Sequence, residues 1–536
     1  MSSSTPSTVQ VRPHPTKGRA LHAAKDFQPG DIILSLTPLL LLPSLPFLSS
    51  LCTYCLRPSS PRACSRCHAA YYCNATCQAA AWTAIHSREC KVLRQNLDER
   101  QRAELPTPVR ALIQTLLSKD VQTGLQNLEA HMALRRAGME WEGLQLMAMG
   151  ASAYAGKGTT LEALQKACEL LSKIEMNSFS RVDTDLGITG MFLEPTLAMA
   201  NHSCTPNALV QFIGRKVYLR AGQSLQAGDE IEIAYTGFAE PLSKRKQALS
   251  LYKFTCQCPR CKDDLNVYQV AAAFPNLGIN SFSLVTDLSK FRQHPALNSP
   301  GKQTIARTHC KTSEVVESPM LADTPSMWRM LLQEEYDECA QLVKEELWAV
   351  SPLPELLTGI SVYYVKQENI PFALAISCLF ATACDPYQYV APFHPMRLVG
   401  LLTIAKLLSN TAADTASLNK SLKSMAVEPS LDQKVQEKLQ EIDQVSLCQM
   451  LLIMILWSTP AVCAADWDIA VRARDMLNDI DRLSGREKEL SLIDEWKRDP
   501  KSDQSKAFFE YAVVQQVDAL ANLGRAVLKL DFKGQS

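Results

Sequence analysis

The strongest constraint on how this chain folds is a run of paired cysteines near its N-terminus. Within residues 52–90, cysteine and histidine form four pairs whose members are separated by two or three other residues. Such spacing lets two side chains point at one ion, and eight sulfur or imidazole ligands suffice for two tetrahedral zinc sites. Metal binding supplies about 10–16 kcal/mol of folding free energy per site, which so short a segment cannot obtain from a core. The predicted ligands are Cys52, Cys55, Cys64, Cys67, Cys73, Cys77, His86 and Cys90.

Composition and charge argue against several classes of protein. The 536 residues are 46% hydrophobic and 21% charged, which is ordinary for a soluble chain with room for several domains. The 55 basic and 55 acidic residues cancel, so no overall charge favours nucleic acid or a membrane. The 18 cysteines are clustered and no signal peptide precedes them, so we expect metal ligands in the nucleus or cytoplasm rather than disulfides.

Two apolar stretches, residues 39–51 and 450–457, are too short to cross a membrane. A bilayer requires about 20 consecutive apolar residues, and prolines interrupt the first of these stretches. We therefore expect no membrane span, and we assign residues 450–457 to a buried helix.

A polar heptad at residues 201–207 is the second constraint. Its sequence, Asn-His-Ser-Cys-Thr-Pro-Asn, follows an apolar helical stretch, and its proline and asparagines favour a turn. A polar loop held at the end of a buried element is a common place for binding and catalytic groups. Two strands are predicted next, Ala208–Ile213 and Lys216–Ala221, joined by a turn at Gly214.

A third strand is predicted over residues 230–235. Charged and aliphatic residues alternate along it, which places both isoleucines on one face and Tyr235 at the strand end. Downstream, Cys256, Cys258 and Cys261 provide three closely spaced sulfur ligands. Three cysteines make an incomplete tetrahedron, so a fourth ligand is expected from elsewhere in the chain.

The heptad, the strand ending in tyrosine and the Cys-x-Cys-x2-Cys tail together resemble the SET domain of protein lysine methyltransferases. With the paired-cysteine segment, which resembles a MYND finger, the chain is similar to the SET-and-MYND (SMYD) family. The resemblance implies an α+β fold, in which a SET-domain β-fold is split by a zinc-binding MYND finger and a helical insert and is followed by an all-helical, TPR-like C-terminal domain. The implied domains are residues 1–51 (N-terminal part of the SET domain), 52–90 (finger), 91–175 (helical insert), 176–253 (catalytic SET core), 254–262 (zinc-binding post-SET segment) and 263–536 (C-terminal domain).

The resemblance also implies how three zinc ions share the ligands. One finger zinc would take Cys52, Cys55, Cys73 and Cys77, and the other would take Cys64, Cys67, His86 and Cys90. In the family a heptad cysteine, here Cys204, completes the site formed by Cys256, Cys258 and Cys261. The alternatives are a free buried thiol at Cys204 and a finger of reduced structural cysteines without metal.

The basic character of the finger raises the question of nucleic acid. Residues 52–94 contain six lysines and arginines against one acid, but seven thiolates and two zinc ions reduce the net charge to about +2. Affinity for nucleic acid depends on how many phosphates are neutralised, so this footprint is modest. We therefore expect the finger to dock a proline-rich or other peptide partner, and we expect the chain to be a monomer.

The resemblance implies S-adenosylmethionine as the cofactor. In the family a glycine-containing turn approaches the cofactor, because glycine permits close backbone contact; here Gly18 is present, but Ala20 stands where family members often have a second glycine. This region is predicted to form two short strands joined by a turn, around residues 21–24 and 32–34. The implied cofactor contacts are Lys17, Arg19, Asn177, Asn201, His202, Tyr235, Tyr252 and Phe254.

Tyr235 and Tyr252 are the implied catalytic residues. By resemblance, Tyr235 stands where the cofactor and lysine channels meet, Tyr252 forms a wall of the lysine channel, and Phe254 stacks on adenine. A lysine of pKa about 10.4 must lose a proton at a cost of roughly 4 kcal/mol near neutral pH, and no side chain here is an evident strong base. The family passes the proton to solvent, while the enzyme supplies orientation and electrostatics. There are alternatives to these implied roles. Tyr235 would then be an ordinary buried strand tyrosine, and Asn177 would cap nearby backbone instead of contacting the cofactor.

Helical periodicity dominates the remaining sequence. Residues 150–158, rich in glycine, alanine and serine, are predicted as a linker between two helices, and a long loop is predicted around residues 297–324. The second of those helices has a predicted buried face made of Leu161, Leu164, Cys168, Leu171 and Ile174. Paired helices that suggest a TPR-like array are predicted at residues 356–366, 372–383, 396–408, 445–457, 467–483 and 508–530.

Two functions follow from these patterns. The first is an S-adenosylmethionine-dependent protein-lysine N-methyltransferase that acts on histone or non-histone proteins, as the resemblance implies. The second is a catalytically weak, zinc-dependent interaction adaptor or transcriptional regulator, for which Ala20 is the one supporting feature. The outcome at Tyr235→Phe separates them, because only the enzyme loses activity when the phenol is removed.

Overall fold

The chain folds into two compact units. The computed structural model describes residues 8–96, 98, 105–183, 186–298, 304–305, 324–409 and 433–532. The first unit contains residues 1–236 and 246–256, and the second contains residues 237–245 and 257–536. Most of the long loop predicted around residues 297–324 lies outside the described residues. The finer domain boundaries remain predictions.

Short strands form the sheets of the first unit. They are β1 (Val9–His14), β2 (Gly18–Ala23), β3 (Ile32–Leu36), β4 (Leu40–Pro43), β5 (Arg62–Ala63), β6 (Tyr71–Tyr72), β7 (Phe179–Asp183), β8 (Gly187–Leu193), β9 (Asn201–His202), β10 (Ala208–Ile213), β11 (Lys216–Ala221) and β12 (Glu232–Ile233). The strand orders are β1–β2, β10–β11–β3, β12–β9, β4–β8–β7 and β5–β6. The β9–β12 pair is parallel, and the other pairs are antiparallel.

The predicted hairpin after the heptad is confirmed. Strands β10 and β11 have the predicted bounds, and Gly214 at their turn has a φ of 53°. The predicted third strand is shorter than residues 230–235, because β12 extends only as far as its two-residue partner β9. Ile231 and Ile233 are both fully buried, so the predicted inward face of this segment is correct.

The two N-terminal strands exist but do not pair with each other. β2 pairs with β1, whereas β3 joins the edge of β11. The prediction of two strands joined by a turn therefore has the right elements, although each strand finds its partner elsewhere. Leu21 and Ile33 lie in one hydrophobic core, so burial of both strands, rather than their separation in sequence, determines the arrangement.

Helices follow the finger strands in the first unit. They are α1 (Ala75–Ala81), α2 (Ser87–Asn96), α3 (Thr107–Leu116), α4 (Lys119–Gly124), α5 (Met132–Arg136), α6 (Trp141–Tyr154) and α7 (Leu161–Asn177), with a π-helical turn at Trp82–His86 and 3-10 turns at Leu45–Phe47 and Leu197–Met199.

The linker predicted at residues 150–158 is wrong in its first half. Helix α6 continues to Tyr154 because Ala148, Ala151 and Ser152 are buried on one of its sides, and this packing overrides the weak helix propensity of glycine. On α7, Cys168, Leu171 and Ile174 are buried as predicted. Leu164 is only partly buried, and Leu161, the first residue of α7, is 72% exposed.

Helices make up the second unit and the segment that leads to it. They are α8 (Leu242–Ser250), α9 (Pro259–Lys262), α10 (Val267–Ala272), α11 (Ser289–Arg292), α12 (Pro325–Glu338), α13 (Ala340–Lys344), α14 (Leu353–Lys366), α15 (Ile370–Ala383), α16 (Asp385–Gln388), α17 (Pro395–Ser409), α18 (Gln433–Gln440), α19 (Gln444–Trp457), α20 (Asp468–Asp481), α21 (Glu487–Arg498), α22 (Asp503–Phe509) and α23 (Gln515–Asp531), with 3-10 turns at Leu277–Phe282 and Pro295–Leu297. The helix predicted at residues 508–530 is interrupted by a π-helical turn at Glu510–Val514. The TPR-like assignment remains a prediction.

One long apolar stretch of the second unit includes the helix predicted at residues 372–383, but the length and apolar character of the whole stretch are not part of the sequence-based prediction. Ile370–Gln388 has 19 residues and a mean hydropathy of 1.4, which is enough to cross a membrane by length and composition alone. Because 67% of its apolar window is buried inside the protein, a core helix is the simpler interpretation. Helix α15 in this stretch packs against α14, α17 and α23. The buried helix predicted at residues 450–457 lies in α19 and is buried from residue 450 to residue 455, whereas Trp457 at its end is 47% exposed.

Candidate active site and metal centres

The polar heptad is anchored by the parallel pair β9–β12. The N–H of Ser203 donates to the backbone oxygen of Ile233 at 3.0 Å. Asn207 then fixes the other end of the loop: its amide nitrogen donates to the backbone oxygen of Glu230 at 2.8 Å, and its amide oxygen accepts from the N–H of Glu232 at 2.8 Å. The conformation of the loop is therefore set by the protein itself.

Tyr235, two residues beyond β12, is positioned by two hydrogen bonds. Its hydroxyl donates to the backbone oxygen of Ala200 at 2.7 Å, and its backbone N–H donates to Nδ1 of His202 at 3.0 Å. Burial, together with Tyr252 and Glu230, raises the pKa of Tyr235 well above its ordinary value of 10. The residue therefore remains a neutral phenol at physiological pH and cannot serve as a base there.

Three aromatic side chains surround this phenol, and together with it they form what we call the ring cluster: His202, Tyr235, Tyr252 and Phe254. The ring centroid of Tyr235 lies 4.9 Å from that of Tyr252 and 6.3 Å from that of Phe254. Burial also raises the pKa of Tyr252. Phe254 is 39% exposed, so a flat ligand has access to one of its faces.

A charged group lies beside the heptad. Nζ of Lys17 lies 3.0 Å from Glu230 and 2.8 Å from Glu232. Asn201 donates from its amide to Glu230 Oε1 at 2.8 Å and to the backbone oxygen of Arg19 at 2.9 Å. Burial opposes ionisation of Glu230, but hydrogen bonds from Asn201 and Lys17 outweigh it and lower the pKa of the carboxyl. Lys17 and Asn201 thus both have partners within the protein.

Arg19 and Asn177 are also held by the protein. The guanidinium of Arg19 donates to the backbone oxygen of Asn127. The amide of Asn177 donates to the backbone oxygens of Glu129 at 2.8 Å and Lys173 at 2.7 Å. One of these two oxygens is local to Asn177 and the other lies 48 residues earlier, and a role of Asn177 at the cofactor stays a prediction.

The alanine that departs from the family pattern is accommodated without strain. Gly18 has a φ of 79°, a conformation that residues with a side chain rarely adopt, so glycine is favoured at that position. Ala20 lies fully buried in β2 opposite Arg12, in ordinary strand conformation. The presence of Ala20 therefore gives no structural reason for an inactive fold.

The finger ligands separate into two groups. The first contains Cys52, Cys55, Cys73 and Cys77; the second contains Cys64, Cys67, His86 and Cys90; and in each the ligand atoms lie within 4.8 Å of one another. A set of four cysteines and a set of three cysteines with one histidine both suit closed tetrahedral zinc sites. The second group is buried throughout, whereas the first includes the exposed Cys73.

A third group has the same chemistry. The sulfur atoms of Cys204, Cys256, Cys258 and Cys261 also lie within 4.8 Å of one another, and four thiolates suit zinc. Nε2 of His202 lies 3.2 Å from Sγ of Cys204, so both ring nitrogens of His202 have partners within the first unit. Three donor groups thus match the three zinc ions expected from the sequence.

Sequence patterns missed the buried groups that support the second finger site. Glu89, Arg110 and Gln114 form a hydrogen-bonded set behind His86. From the sequence, Glu89 is considered only as the single acidic residue in the net charge of residues 52–94. The local signal was the spacing of His86 and Glu89, which are neighbours on one helical face, but Arg110 could be connected to them only by the fold.

Comparisons with known proteins agree with this arrangement. A family model of the MYND finger matches residues 52–90. Histone-lysine N-methyltransferase ASHR1 of Arabidopsis thaliana is 30% identical over 265 residues, which cover 46% of this chain and 54% of that protein. Human N-lysine methyltransferase SMYD2 is 27% identical over 258 residues, which cover 46% of this chain and 58% of that protein. The chain therefore contains a MYND finger and is similar to SET-and-MYND lysine methyltransferases over about half of its length.

The similarity to SET-and-MYND proteins covers part of the chain. Mouse histone-lysine N-methyltransferase SMYD3 is 27% identical over 261 residues, which cover 46% of this chain and 59% of that protein. The chain thus spans between 54% and 59% of the length of these three relatives. A solved structure of the SET domain of LSMT bound to lysine and AdoHcy aligns with 81% of this chain and 95% of that one at 14% identity, with a TM-score of 0.22, which is too low to support a structural argument.

Proposed function

We propose that this chain is an S-adenosylmethionine-dependent protein-lysine N-methyltransferase acting on histone or non-histone proteins. The observation that carries the proposal is the ring cluster, in which the Tyr235 phenol is fixed on the Ala200 carbonyl beside Tyr252 and Phe254. Methyl transfer to an amine requires a narrow, oriented passage more than it requires a strong base. An aromatic cluster with a neutral phenol meets that requirement.

The residues around the heptad fit the proposed cofactor. The half-exposed ring of Phe254 offers a stacking face for adenine, and Tyr235 and Tyr252 offer electron-rich rings to a cationic sulfonium. Polar contacts would come from the chain around Lys17, Arg19, Asn177, Asn201 and His202. When bound, S-adenosylmethionine supplies an electrophilic methyl group.

The protein's own contribution is to orient the amine rather than to deprotonate it. A target lysine must lose its proton at a cost of about 4 kcal/mol near neutral pH, and the raised pKa of Tyr235 keeps its phenol protonated. We propose that the proton passes to solvent. Tyr235 and Tyr252 then restrict the direction of approach and stabilise positive charge as it moves between the reacting groups.

The decisive experiment is mass spectrometry of peptide arrays and cell lysate proteins after incubation with isotopically labelled S-adenosylmethionine. We expect labelled methyl groups on lysine side chains with the native chain and labelling about 10²- to 10³-fold slower with Tyr235→Phe. Tyr218→Phe is a matched control, because Tyr218 is a buried tyrosine of β11 outside the ring cluster. A native chain that binds the cofactor but labels no lysine would reject the methyltransferase and favour the adaptor.

We further propose a protein substrate, a proline-rich or other peptide partner on the finger, a monomeric state, and a nuclear or cytoplasmic location. The exposed outer residues of α1 leave room for such a peptide on the finger. Size-exclusion chromatography with light scattering tests the monomer, and pull-down with the finger's α1 residues substituted tests the partner.

A further inference from the structure

A chain of buried polar groups connects the second metal group of the finger to the helical insert. Nδ1 of His86 lies 2.7 Å from Oε2 of Glu89. The other carboxylate oxygen of Glu89 accepts from Nε of Arg110 at 2.7 Å and from the amide of Gln114 at 2.8 Å. These four side chains are between 1% and 6% exposed, so water does not substitute for their contacts.

The orientation of the His86 imidazole is set by the contacts of its two ring nitrogens. Its Nε2 faces the sulfur ligands, 3.6 Å from Sγ of Cys67, while Nδ1 faces Glu89. A neutral histidine that binds metal through Nε2 carries its proton on Nδ1. An ionised carboxylate accepts hydrogen bonds only, so Glu89 selects this tautomer and fixes the plane of the ring.

Arg110 offsets the unfavourable free energy of burying the Glu89 carboxylate. A zinc centre of three thiolates and one neutral histidine is anionic, and Glu89 adds a further negative charge beside it. Arg110 donates to both oxygens of Glu89, at 2.7 and 3.2 Å, and its remaining nitrogen donates to the backbone oxygen of Ala69 in the finger at 2.9 Å. A buried carboxylate without such a partner would be strongly unfavourable. Gln114 lies one turn after Arg110 on α3 and faces the same group.

We infer that Glu89 is a positioning residue for the zinc bound by Cys64, Cys67, His86 and Cys90, and that Arg110 and Gln114 of the helical insert hold Glu89 in place. The second metal centre is therefore assembled from two parts of the chain, because its ligands lie in residues 52–90 whereas two of the groups behind His86 lie on α3. This inference does not depend on methyl transfer.

The test compares zinc release from the full-length native chain, Glu89→Gln and Glu175→Gln. Glu175 is a matched control, since it pairs with Arg135 of the helical insert at 2.7 Å and is not a member of a metal group. Release is followed with a chromogenic chelator, and the number of bound zinc ions is counted by native mass spectrometry. We expect Glu89→Gln to release one zinc about 10- to 100-fold faster than the native chain, and Glu175→Gln to behave like the native chain.

Cobalt substitution provides a readout that general destabilisation would not change. The absorption bands of Co2+ depend on its ligands and geometry, and the second finger group is the one of the three groups that contains histidine. We expect Glu89→Gln to shift the bands of this site, and Glu175→Gln to leave them unchanged. Native release rates and native bands in Glu89→Gln would overturn the inference, as would equal acceleration in the control.

Gln114→Leu covers the case in which Glu89→Gln fails to fold. This substitution removes one donor to Glu89 and places an apolar side chain of similar size in a buried position on α3. We expect release of one zinc to accelerate by about tenfold, at the lower end of the range for such supporting groups. An unchanged release rate would overturn the proposed role of α3.

Discussion

The hydroxyl of Tyr235 is hydrogen-bonded to the backbone oxygen of Ala200, the residue immediately before the polar heptad. The same tyrosine is tied through its backbone N–H to the ring of His202. Tyr235 is thereby fixed relative to the loop both at its hydroxyl and at its backbone. A side chain held in this way can orient a reacting group without moving during the reaction.

Replacing Tyr235 by phenylalanine should abolish most methyl transfer while leaving the fold intact. We expect a rate lower by about 10²- to 10³-fold, as is typical when one preorganised donor is removed from an active site. The free energy of unfolding should fall by about 1 kcal/mol, because one hydrogen bond is lost. Single-turnover assays and denaturant titrations measure the two effects. A variant with the native transfer rate would contradict the catalytic assignment.

Replacing Phe254 by alanine should weaken cofactor binding. Stacking of a base on an aromatic ring contributes about 1–3 kcal/mol, so the dissociation constant for S-adenosylmethionine should rise by about tenfold or more. Leu251→Ala is a suitable control, because Leu251 is 63% exposed in the same segment and is not part of the ring cluster. Isothermal titration calorimetry compares the variants. Equal weakening in both would argue against an adenine contact at Phe254.

The rate of methyl transfer should rise with pH up to about pH 10. The neutral fraction of a lysine with a pKa near 10.4 increases about tenfold per pH unit below that value. A tyrosine of ordinary pKa would begin to ionise in this range, but burial, Tyr252 and Glu230 raise the pKa of Tyr235, so its phenol persists. Initial rates between about pH 7 and 10 provide the measurement. A falling limb centred near pH 10 would show that Tyr235 ionises normally.

The two finger zinc ions should leave at different rates. The first ligand group includes the exposed Cys73 and the half-buried Cys55 and Cys77, whereas the second group is buried throughout. A chelator can reach the first ion directly, whereas the second ion becomes accessible only when the protein opens locally. We therefore expect the release rates of the two ions to differ by at least about tenfold. Timed alkylation with peptide mapping should label Cys73 and Cys77 before Cys64. The opposite order would contradict the burial argument.

Local patterns were sufficient to predict the set of finger ligands and the hairpin, whereas the division of the ligands into groups was implied by the resemblance to the SET-and-MYND family. Short cysteine spacings identify pairs that can share an ion, and two runs of strand character beside a glycine turn identified β10 and β11 with their observed bounds. The inward face of Ile231 and Ile233 was predictable from the alternation of charged and aliphatic residues. These features depend on residues that are close in sequence.

Features that depend on distant partners were not predictable from those patterns. Glu89 resembles an ordinary acid of a surface helix until α3 brings Arg110 to it. The hydrogen bond from the Asn177 amide to the backbone oxygen of Glu129, 48 residues earlier, is likewise outside any local pattern, while the role of Asn177 at the cofactor stays a prediction. Helix α6 runs through Gly150 because packing of its small residues compensates for poor helix propensity.

The pairing of β4 with β8 also affects the order of events on the ribosome. Leu42 of β4 pairs with Met191 of β8, which lies roughly 150 residues later in the chain. At a synthesis rate of about 5–20 residues per second, about 8–30 s pass between the synthesis of β4 and that of β8. The finger and the helical insert are synthesised during this interval. Zinc captured by the nascent finger shortens the effective loop that β4 and β8 must close. We therefore expect zinc scarcity during translation to reduce the yield of folded chain more than the same scarcity imposed after synthesis.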